Sequence, residues 1–150
     1  MKKYKLTDET MHIYGRTLYR IEAVKEFADV KKGDKGGWVE SENNLSQDGN
    51  CWIYDNAKVY DDAKIYGNAE VYGNALIYGR AIIYDNAKVY DDADVCENAK
   101  VFEDAEVCGN AYVYGNATIY GDARVYGNAV IYGDAMVYCD AKVYGNDEVY

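Results

Sequence analysis

The sequence predicts an all-β fold in which short strands wind into a regular coil. From Ile53 to Val149, Val or Ile returns at every sixth position without an insertion. Ala stands four residues after each of them, from Ala57 to Ala141, and the residue before that Ala is Asn or Asp except at Arg80. A period of six does not match the 3.6-residue turn of an α-helix, and frequent Gly, Asn and Asp disfavour one. Pro, which would remove a donor from a β-ladder, is absent.

Each hexad predicts a short strand followed by a corner. In A-x-V-Y the side chains alternate between the two faces of the strand. With Val/Ile and Ala inside, methyl groups fill a narrow interior, whereas Tyr inside would bury hydroxyl groups that lack partners. We therefore expect the Tyr rows on the outside. We expect each corner at the second residue of Gly-Asn, Asp-Asn or Gly-Asp, because Asn and Asp tolerate a left-handed backbone.

The repeated string [V/I]-Y-G-[N/D]-A-x resembles the hexapeptide repeat of left-handed parallel β-helices, in which three hexads form one triangular coil. The resemblance covers about residues 47–150 and implies five to six coils. The left-handed sense comes from the resemblance alone. The segment GDKGGWVESENNLSQDGNCWIYDNAKVY is similar to the start of bacterial and prophage hexapeptide-repeat proteins, which implies a prophage-type chain.

Residues 1–46 are expected to form a separate cap on the β-helix of residues 47–150. The stretch MHIYGRTLYRIEAV alternates around Gly15-Arg16 and predicts a β-hairpin. The first rung of a coil would otherwise expose unpaired backbone groups and an open apolar core. We expect Trp38 to plug that opening and Cys51 to occupy the first Ala position.

Three hexads per coil sort the outward residues into three walls. Wall A comprises Trp52, Tyr54, Glu70, Tyr72, Lys88, Tyr90, Glu106, Cys108, Arg124, Tyr126, Lys142 and Tyr144. Wall B comprises Lys58, Tyr60, Leu76, Tyr78, Asp94, Cys96, Tyr112, Tyr114, Val130, Tyr132, Glu148 and Tyr150. Wall C comprises Lys64, Tyr66, Ile82, Tyr84, Lys100, Phe102, Thr118, Tyr120, Met136 and Tyr138. Because Glu70, Lys88, Glu106 and Arg124 alternate in charge along wall A, we expect that wall to face solvent.

Walls B and C carry additional apolar side chains beside their aromatic rows, and a contiguous patch of this kind usually marks an interface. The predicted interface residues are Leu76, Tyr78, Ile82, Tyr84, Tyr112, Tyr114, Val130, Tyr132, Met136 and Tyr138. For the Tyr rows, stacking that only stiffens the coil is an equally good explanation. The expected partner is a second or third copy of the chain, in a dimer or trimer with closed symmetry. Hexapeptide-repeat relatives are commonly trimers, which favours the trimer by resemblance.

The net charge of −10 resides in the repeats, since residues 1–52 contain nine basic and nine acidic side chains. Such a surface disfavours direct binding to nucleic acid or anionic lipid. A predicted acidic belt around the coil contains Asp85, Asp91, Asp92, Asp94, Glu97, Glu103, Asp104 and Glu106. It either keeps a Tyr-rich protein soluble or imitates nucleic acid in a basic cleft of a host protein.

The sequence predicts no catalytic residue, no metal site and no cofactor. The resemblance implies that acyltransferases of this fold use a His at a subunit boundary and a loop that leaves the coil. The single histidine, His12, falls in the predicted hairpin, and no loop interrupts residues 53–148. No two of the four cysteines are 18 residues apart, as stacked positions would be, so neither a disulfide nor a zinc site is expected.

The sequence therefore favours a non-catalytic, prophage-encoded binding or scaffold protein. Its more specific form is an inhibitor of a host nucleic-acid-handling protein. The alternative is an acyltransferase-like enzyme that uses acyl-CoA. Without an apolar leader in MKKYKLTDET, the expected location is the cytoplasm, or the host cytoplasm for a phage protein. At the last rung, Asp147 replaces the usual Ala, and we expect that corner to fray and to turn the Asp147 carboxylate to water. Together with Glu148, this charge should discourage end-to-end growth.

Overall fold

The computed structural model describes residues 1–150 and contains twenty strands and one 3-10 helix, Glu42–Asn44. The longest strands, β1 (Tyr4–Ile13) and β2 (Arg16–Ala23), form an antiparallel hairpin, and β3 (Lys35–Val39) pairs with β2. The other strands have two residues each. They are β4 (Trp52–Ile53), β5 (Lys58–Val59), β6 (Lys64–Ile65), β7 (Glu70–Val71), β8 (Leu76–Ile77), β9 (Ile82–Ile83), β10 (Lys88–Val89), β11 (Asp94–Val95), β12 (Lys100–Val101), β13 (Glu106–Val107), β14 (Tyr112–Val113), β15 (Thr118–Ile119), β16 (Arg124–Val125), β17 (Val130–Ile131), β18 (Met136–Val137), β19 (Lys142–Val143) and β20 (Glu148–Val149).

The two-residue strands form three parallel sheets, one for each wall. Wall A is the sheet β4-β7-β10-β13-β16-β19, wall B contains β5-β8-β11-β14-β17-β20, and wall C is β6-β9-β12-β15-β18. Val89 pairs with Val71 on one side and with Val107 on the other, so each rung lies one turn of three hexads from the next. The predicted all-β parallel β-helix with a small hairpin at its start is confirmed. Its left-handed sense stays a prediction from the resemblance.

Val, Ile and Ala fill the interior of the coil, as predicted. Every Val or Ile of the repeat from Ile53 to Ile131, and every Ala from Ala57 to Ala129, is at most 1% exposed. Burial of each Val or Ile side chain stabilises the fold by about 1.5–3 kcal/mol relative to an exposed one. The interior therefore consists of methyl-bearing side chains, and the Tyr side chains lie outside.

The corners form one residue earlier than predicted. The left-handed backbone falls on the first residue of each pair, as at Gly67 (φ 68°), Asp85 (φ 55°) and Glu97 (φ 58°). Successive corners approach closely, since a Cβ on Gly67 would lie 2.9 Å from the backbone nitrogen of Asp85. Glycine relieves both the strain and this contact, which explains its frequency at the first position.

Asn and Asp prevail at the second corner position for a different reason, which is hydrogen bonding along the coil. Asn68 Nδ2 donates to Asn86 Oδ1 at 3.2 Å, and Asn86 Nδ2 donates to Asp104 Oδ1 at 3.1 Å. Each rung thus supplies an amide donor to the acceptor of the next rung. The side-chain ladder accounts for the repeated amide and carboxylate residues without a left-handed backbone.

The coil begins with a turn in which β3, Leu45 and β4 form the first rungs of the three walls. Val39 pairs with Val59 on wall B, Leu45 pairs with Ile65 on wall C, and Cys51 is buried in the first Ala position, as predicted. The hairpin turn lies at Tyr14-Gly15, where both residues have positive φ. The hairpin continues the sheet of wall B beyond the coil.

The prediction that Trp38 plugs the open end is wrong. Trp38 pairs with Lys58 and therefore occupies the outward position before Val39. The end of the coil is closed instead by buried side chains that include Tyr4 and Leu45, and the Tyr4 hydroxyl donates to the Leu45 carbonyl at 2.6 Å. Lys3 Nζ donates to the carbonyl oxygens of Cys51 at 2.7 Å and Gly49 at 3.2 Å. A buried ammonium group thus satisfies backbone acceptors at the start of the coil.

The predicted fraying of the last corner is also wrong. β20 pairs with β17, and the Asp147 carbonyl accepts a hydrogen bond from the Val130 nitrogen at 2.9 Å. Asp147 itself is exposed. The rung keeps its backbone geometry because the carboxylate reaches water without a break in the ladder.

Candidate binding surfaces

The aromatic rows stack along each wall with nearly parallel rings. The ring centroids of Tyr60 and Tyr78 on wall B are 5.2 Å apart, and those of Tyr66 and Tyr84 on wall C are 5.0 Å apart. Stacked pairs of this kind contribute about 0.5–1.5 kcal/mol beyond the area they bury. The rows therefore stabilise the coil whether or not they bind a partner, and only ring edges and neighbouring side chains remain for recognition.

The predicted interface residues do not form one continuous patch. On wall B, Tyr112 and Val130 occupy adjacent rungs beside the stacked pair Tyr114 and Tyr132. We call these four residues the wall B patch. Asp94 separates Leu76 from Tyr112 in the same column. The wall B patch is the part of the predicted interface that the register brings together.

The N-terminal half of wall B is covered by the chain's own hairpin, which the sequence did not reveal. Leu18, Trp38 and Tyr60 form a buried cluster, and Tyr78 packs against it. At the hairpin tip, Arg16 forms an ion pair with Asp61 and lies over the Tyr60 ring, with its guanidinium carbon 6.0 Å from the ring centroid. This end of the wall is occupied within the chain, which leaves the wall B patch as its free apolar region.

On wall C, charged side chains separate the predicted interface residues. Ile82 lies between Lys64 and Lys100 in its column. Met136 pairs with Thr118 and is 60% exposed on the last rung of the wall. Tyr84 and Tyr138 belong to the stacked aromatic row. Wall C thus offers isolated apolar side chains rather than a patch.

Wall A faces solvent only beyond its first rungs. Trp52 is 1% exposed, because the Phe27 and Tyr4 rings pack edge-on against it at centroid distances of 5.3 and 6.1 Å. The Tyr54 hydroxyl donates to Asp29 Oδ1 at 2.9 Å. The alternating charges farther along form no ion pair within 4.0 Å. Instead Glu106 Oε2 accepts a hydrogen bond from the Tyr90 hydroxyl at 3.0 Å.

Most carboxylates of the acidic belt are hydrogen-bonded within the coil. Those at the first corner position accept backbone N–H groups of the following rung, such as that of Gly115 to Glu97 Oε2 at 2.8 Å. Asp85, Asp91 and Glu103 bind in the same way, to Glu103, Gly109 and Gly121 respectively. Asp92 and Asp104 accept side-chain amides of the preceding rung. The belt residues therefore support the corners, in addition to any role at the surface.

Asp94 differs from the other belt residues, because it lies half-buried on wall B. Burial, together with the neighbouring charge of Asp92, raises the pKa of the Asp94 carboxyl above its usual value. Its charge lies beside Leu76 and Tyr112 and limits the apolar area of the wall.

Side chains that could act in catalysis or bind a metal ion are few and lie far apart in the structure. His12 is exposed on the hairpin, with Nδ1 3.1 Å from the Thr17 hydroxyl oxygen. All four cysteines are free, and burial raises the pKa of the Cys51, Cys96 and Cys108 thiols, which disfavours the reactive thiolate. No three His, Cys, Asp or Glu side chains are placed to hold a metal ion. No helix of the structure has the length and apolarity needed to cross a bilayer.

Comparison with known proteins supports the repeat type. A family model described as the YdcK β-solenoid repeat matches residues 111–127 and 117–132. A protein of Escherichia coli (strain K12) named uncharacterized acetyltransferase YdcK is 40% identical over 63 residues, which cover 37% of this chain and 19% of that protein. The chain thus spans about a fifth of the length of the curated relative it matches. Both findings support a β-helix of the hexapeptide-repeat type, and the family model matches residues within the coil.

Proposed function

We propose that this chain is a non-catalytic binding scaffold that associates with a second copy of itself through the wall B patch. The observation that carries the proposal is the adjacency of Tyr112, Val130, Tyr114 and Tyr132 on a flat, rigid wall. Tyr112 is 36% exposed, and its neighbours keep part of their side chains at the surface. Aromatic residues on a rigid scaffold lose little conformational entropy on binding, which makes them effective interface anchors.

The charge of the protein determines how this association responds to salt. Two copies that each carry a net charge of −10 repel one another at low ionic strength. Contact between apolar patches does not weaken as salt screens that repulsion. Association through the wall B patch should therefore strengthen with added salt, whereas binding of the acidic belt to a basic partner should weaken.

Sedimentation of the wild type and a Val130→Lys variant at several salt concentrations tests the proposal. A lysine at this position adds a hydrated charge at the centre of the patch, so the variant should remain monomeric where the wild type forms dimers or trimers. Thr118→Lys is the matched control, because it introduces the same side chain at the equivalent outward position of wall C. Equal loss of association in both variants would show that the effect of the lysine is not specific to wall B, and it would contradict a contact at the wall B patch.

An acyltransferase is the second candidate, and the name of the E. coli relative favours it. The match covers only 19% of that protein, and the chain's single histidine lies on the hairpin. Titration calorimetry with acetyl-CoA separates the two functions. Micromolar binding would favour the enzyme, and no binding at millimolar ligand would favour the scaffold.

The acidic belt, together with the resemblance of the first residues to prophage proteins, suggests a more specific version, in which the scaffold inhibits a host nucleic-acid-handling protein. Glu97 and Glu103 point one carboxylate oxygen each to the backbone and keep an exposed position. A pull-down from bacterial lysate at low and high salt tests this version. A captured nucleic-acid-handling protein that is released by salt would support it, and salt-insensitive capture would contradict it.

A further inference from the structure

In all three aromatic rows, the usual Tyr is replaced within the same turn of the coil. Where the other turns place Tyr, this turn has Cys96 on wall B, Phe102 on wall C and Cys108 on wall A. On wall C the row is uninterrupted, because the Phe102 ring stacks on Tyr84 at 4.8 Å and on Tyr120 at 5.2 Å. The two cysteines, in contrast, each remove a ring from a stacked row.

On wall B the chain fills the gap that Cys96 leaves. The Tyr112 ring tilts against Tyr114, with a centroid distance of 4.5 Å and an interplanar angle of 31°. Its hydroxyl oxygen lies 3.8 Å from Cys96 Sγ, and Cys96 is 2% exposed. The missing ring is therefore replaced by a neighbour from the adjacent column.

On wall A the gap stays open. Cys108 lies in a surface cavity of about 220 Å³ lined by Tyr90, Glu106, Cys108, Arg124, Tyr126 and Lys142. Tyr90 stacks on Tyr72 at 4.7 Å, and Tyr126 stacks on Tyr144 at 5.3 Å, so each uses only one ring face. Tyr90 and Tyr126 are two rungs apart, a span of about 9.6 Å at ~4.8 Å per rung. That span equals two stacking distances and accommodates one additional ring.

The cavity also contains two cations on adjacent rungs. Arg124 and Lys142 are directly opposite each other in adjacent rungs, and neither lies within 4.0 Å of a carboxylate. Like charges in this arrangement are destabilising. On the preceding rung, Glu106 lies directly opposite Arg124 but is hydrogen-bonded to the Tyr90 hydroxyl, and Asp91 is a nearby charge at the corner. The cations thus form a positive end of the cavity in an otherwise acidic protein.

We propose that the wall A gap binds a small ligand composed of a flat aromatic ring and an anionic group. The ring inserts between Tyr90 and Tyr126 and completes the stacked row, and the anion binds Arg124 and Lys142. The cavity is smaller than the ~300–1,000 Å³ typical of drug-sized ligands, so it holds one ring system, and the rest of the ligand lies along its open side. Nucleotides and aromatic carboxylates share this chemistry. The proposal concerns wall A and is independent of association through wall B.

Calorimetric titration of the full chain with AMP and with naphthoate tests the proposal and distinguishes the two sources. The decisive variant is Cys108→Tyr, which restores the ring of the repeat and occupies the gap from within. It should weaken binding by at least about tenfold, because base–aromatic stacking is lost on both faces. Cys139→Ser is the control, since Cys139 lies exposed at a corner and does not line the cavity, and this variant should bind as the wild type does.

Two further measurements separate stacking from charge. Arg124→Gln should weaken AMP while it leaves adenosine unchanged, and inorganic phosphate alone should bind more weakly than AMP. Binding of AMP only, or of naphthoate only, identifies the source and supports the assignment. The assignment is overturned if neither ligand binds at low millimolar concentration, if Cys108→Tyr binds like the wild type, or if phosphate matches AMP.

Discussion

The side chain of Asp91 has two opposing effects on its corner, and substitution can separate them. Asp91 has a φ of 58°, and its Oδ2 accepts a hydrogen bond from the Gly109 nitrogen at 3.1 Å. The left-handed backbone costs a non-glycine residue about 1–2 kcal/mol. The exposed hydrogen bond stabilises the corner by about 1 kcal/mol. The observed residue is therefore close to balance, although its backbone is strained.

Replacement of Asp91 by Ala removes the hydrogen bond and keeps the strain, so the free energy of unfolding should fall by about 1 kcal/mol. Replacement by Gly removes both, and the relief of strain is partly offset by about 0.4–1 kcal/mol of additional entropy in the unfolded chain. The Gly variant should therefore be more stable than the Ala variant by about 0.5–1 kcal/mol. Urea unfolding followed by circular dichroism measures both.

Asp92, the next residue, is the matched control. Its side chain accepts Asn74 Nδ2 at 3.2 Å, but its backbone is not left-handed. There the Gly variant should be the less stable of the two, because glycine brings only its entropy cost. If Ala and Gly rank in the same order at both positions, the assignment of strain to the first corner residue is wrong.

Three further perturbations test the cap, the core and wall B. Lys3→Met should lower the free energy of unfolding by about 1–3 kcal/mol, because the Cys51 and Gly49 carbonyls lose their donor. Lys2→Met is the control, since it removes only a surface ion pair worth about 0–1 kcal/mol. Equal losses in urea unfolding would refute this role for Lys3. Ala99→Leu should lower stability by at least about 1–3 kcal/mol, because the larger side chain overpacks the interior. Ala141→Leu is the control and should lower stability little, since Ala141 is exposed in the last turn. Thermal unfolding compares the two variants, and tolerance of Leu at position 99 would contradict a close-packed core. Because folding raises the pKa of Asp94, its contribution to stability is largest below the usual value of 3.8 and is lost as the pH rises through the raised pKa. The stability of wild type relative to Asp94→Asn should accordingly decline with rising pH in urea titrations, and a constant difference would contradict the burial of this carboxyl.

The interior of the coil was predictable from the sequence because alternation and period are local properties. The placement of Val59, Ala63 and their equivalents follows from side-chain direction in a strand. The outward position of Trp38 was also predictable from the sequence, since GGWV aligns with the repeat NAKV and places Trp at the variable outward position. The size of the side chain suggests a plug, whereas its register determines the outward position.

The other differences arise from causes that a repeat pattern does not distinguish. Asn and Asp are favoured both by a left-handed backbone and by side-chain ladders, and only the structure shows that Asn68 and Asn86 serve the second. The cover over Tyr60 depends on the hairpin that brings Arg16 to Asp61, a contact between distant parts of the sequence. The open gap at Cys108 differs from the filled gap at Cys96 only through Tyr112.

Sedimentation of the wild type and of Val130→Lys tests the central claim, that the wall B patch binds a second copy, most directly. Over a series of concentrations and salt conditions, the wild type should form a dimer or trimer that salt strengthens. Val130→Lys should remain monomeric, with an unchanged circular dichroism spectrum. A wild type that stays monomeric at high micromolar concentration, or a variant that associates as the wild type does, would contradict the claim.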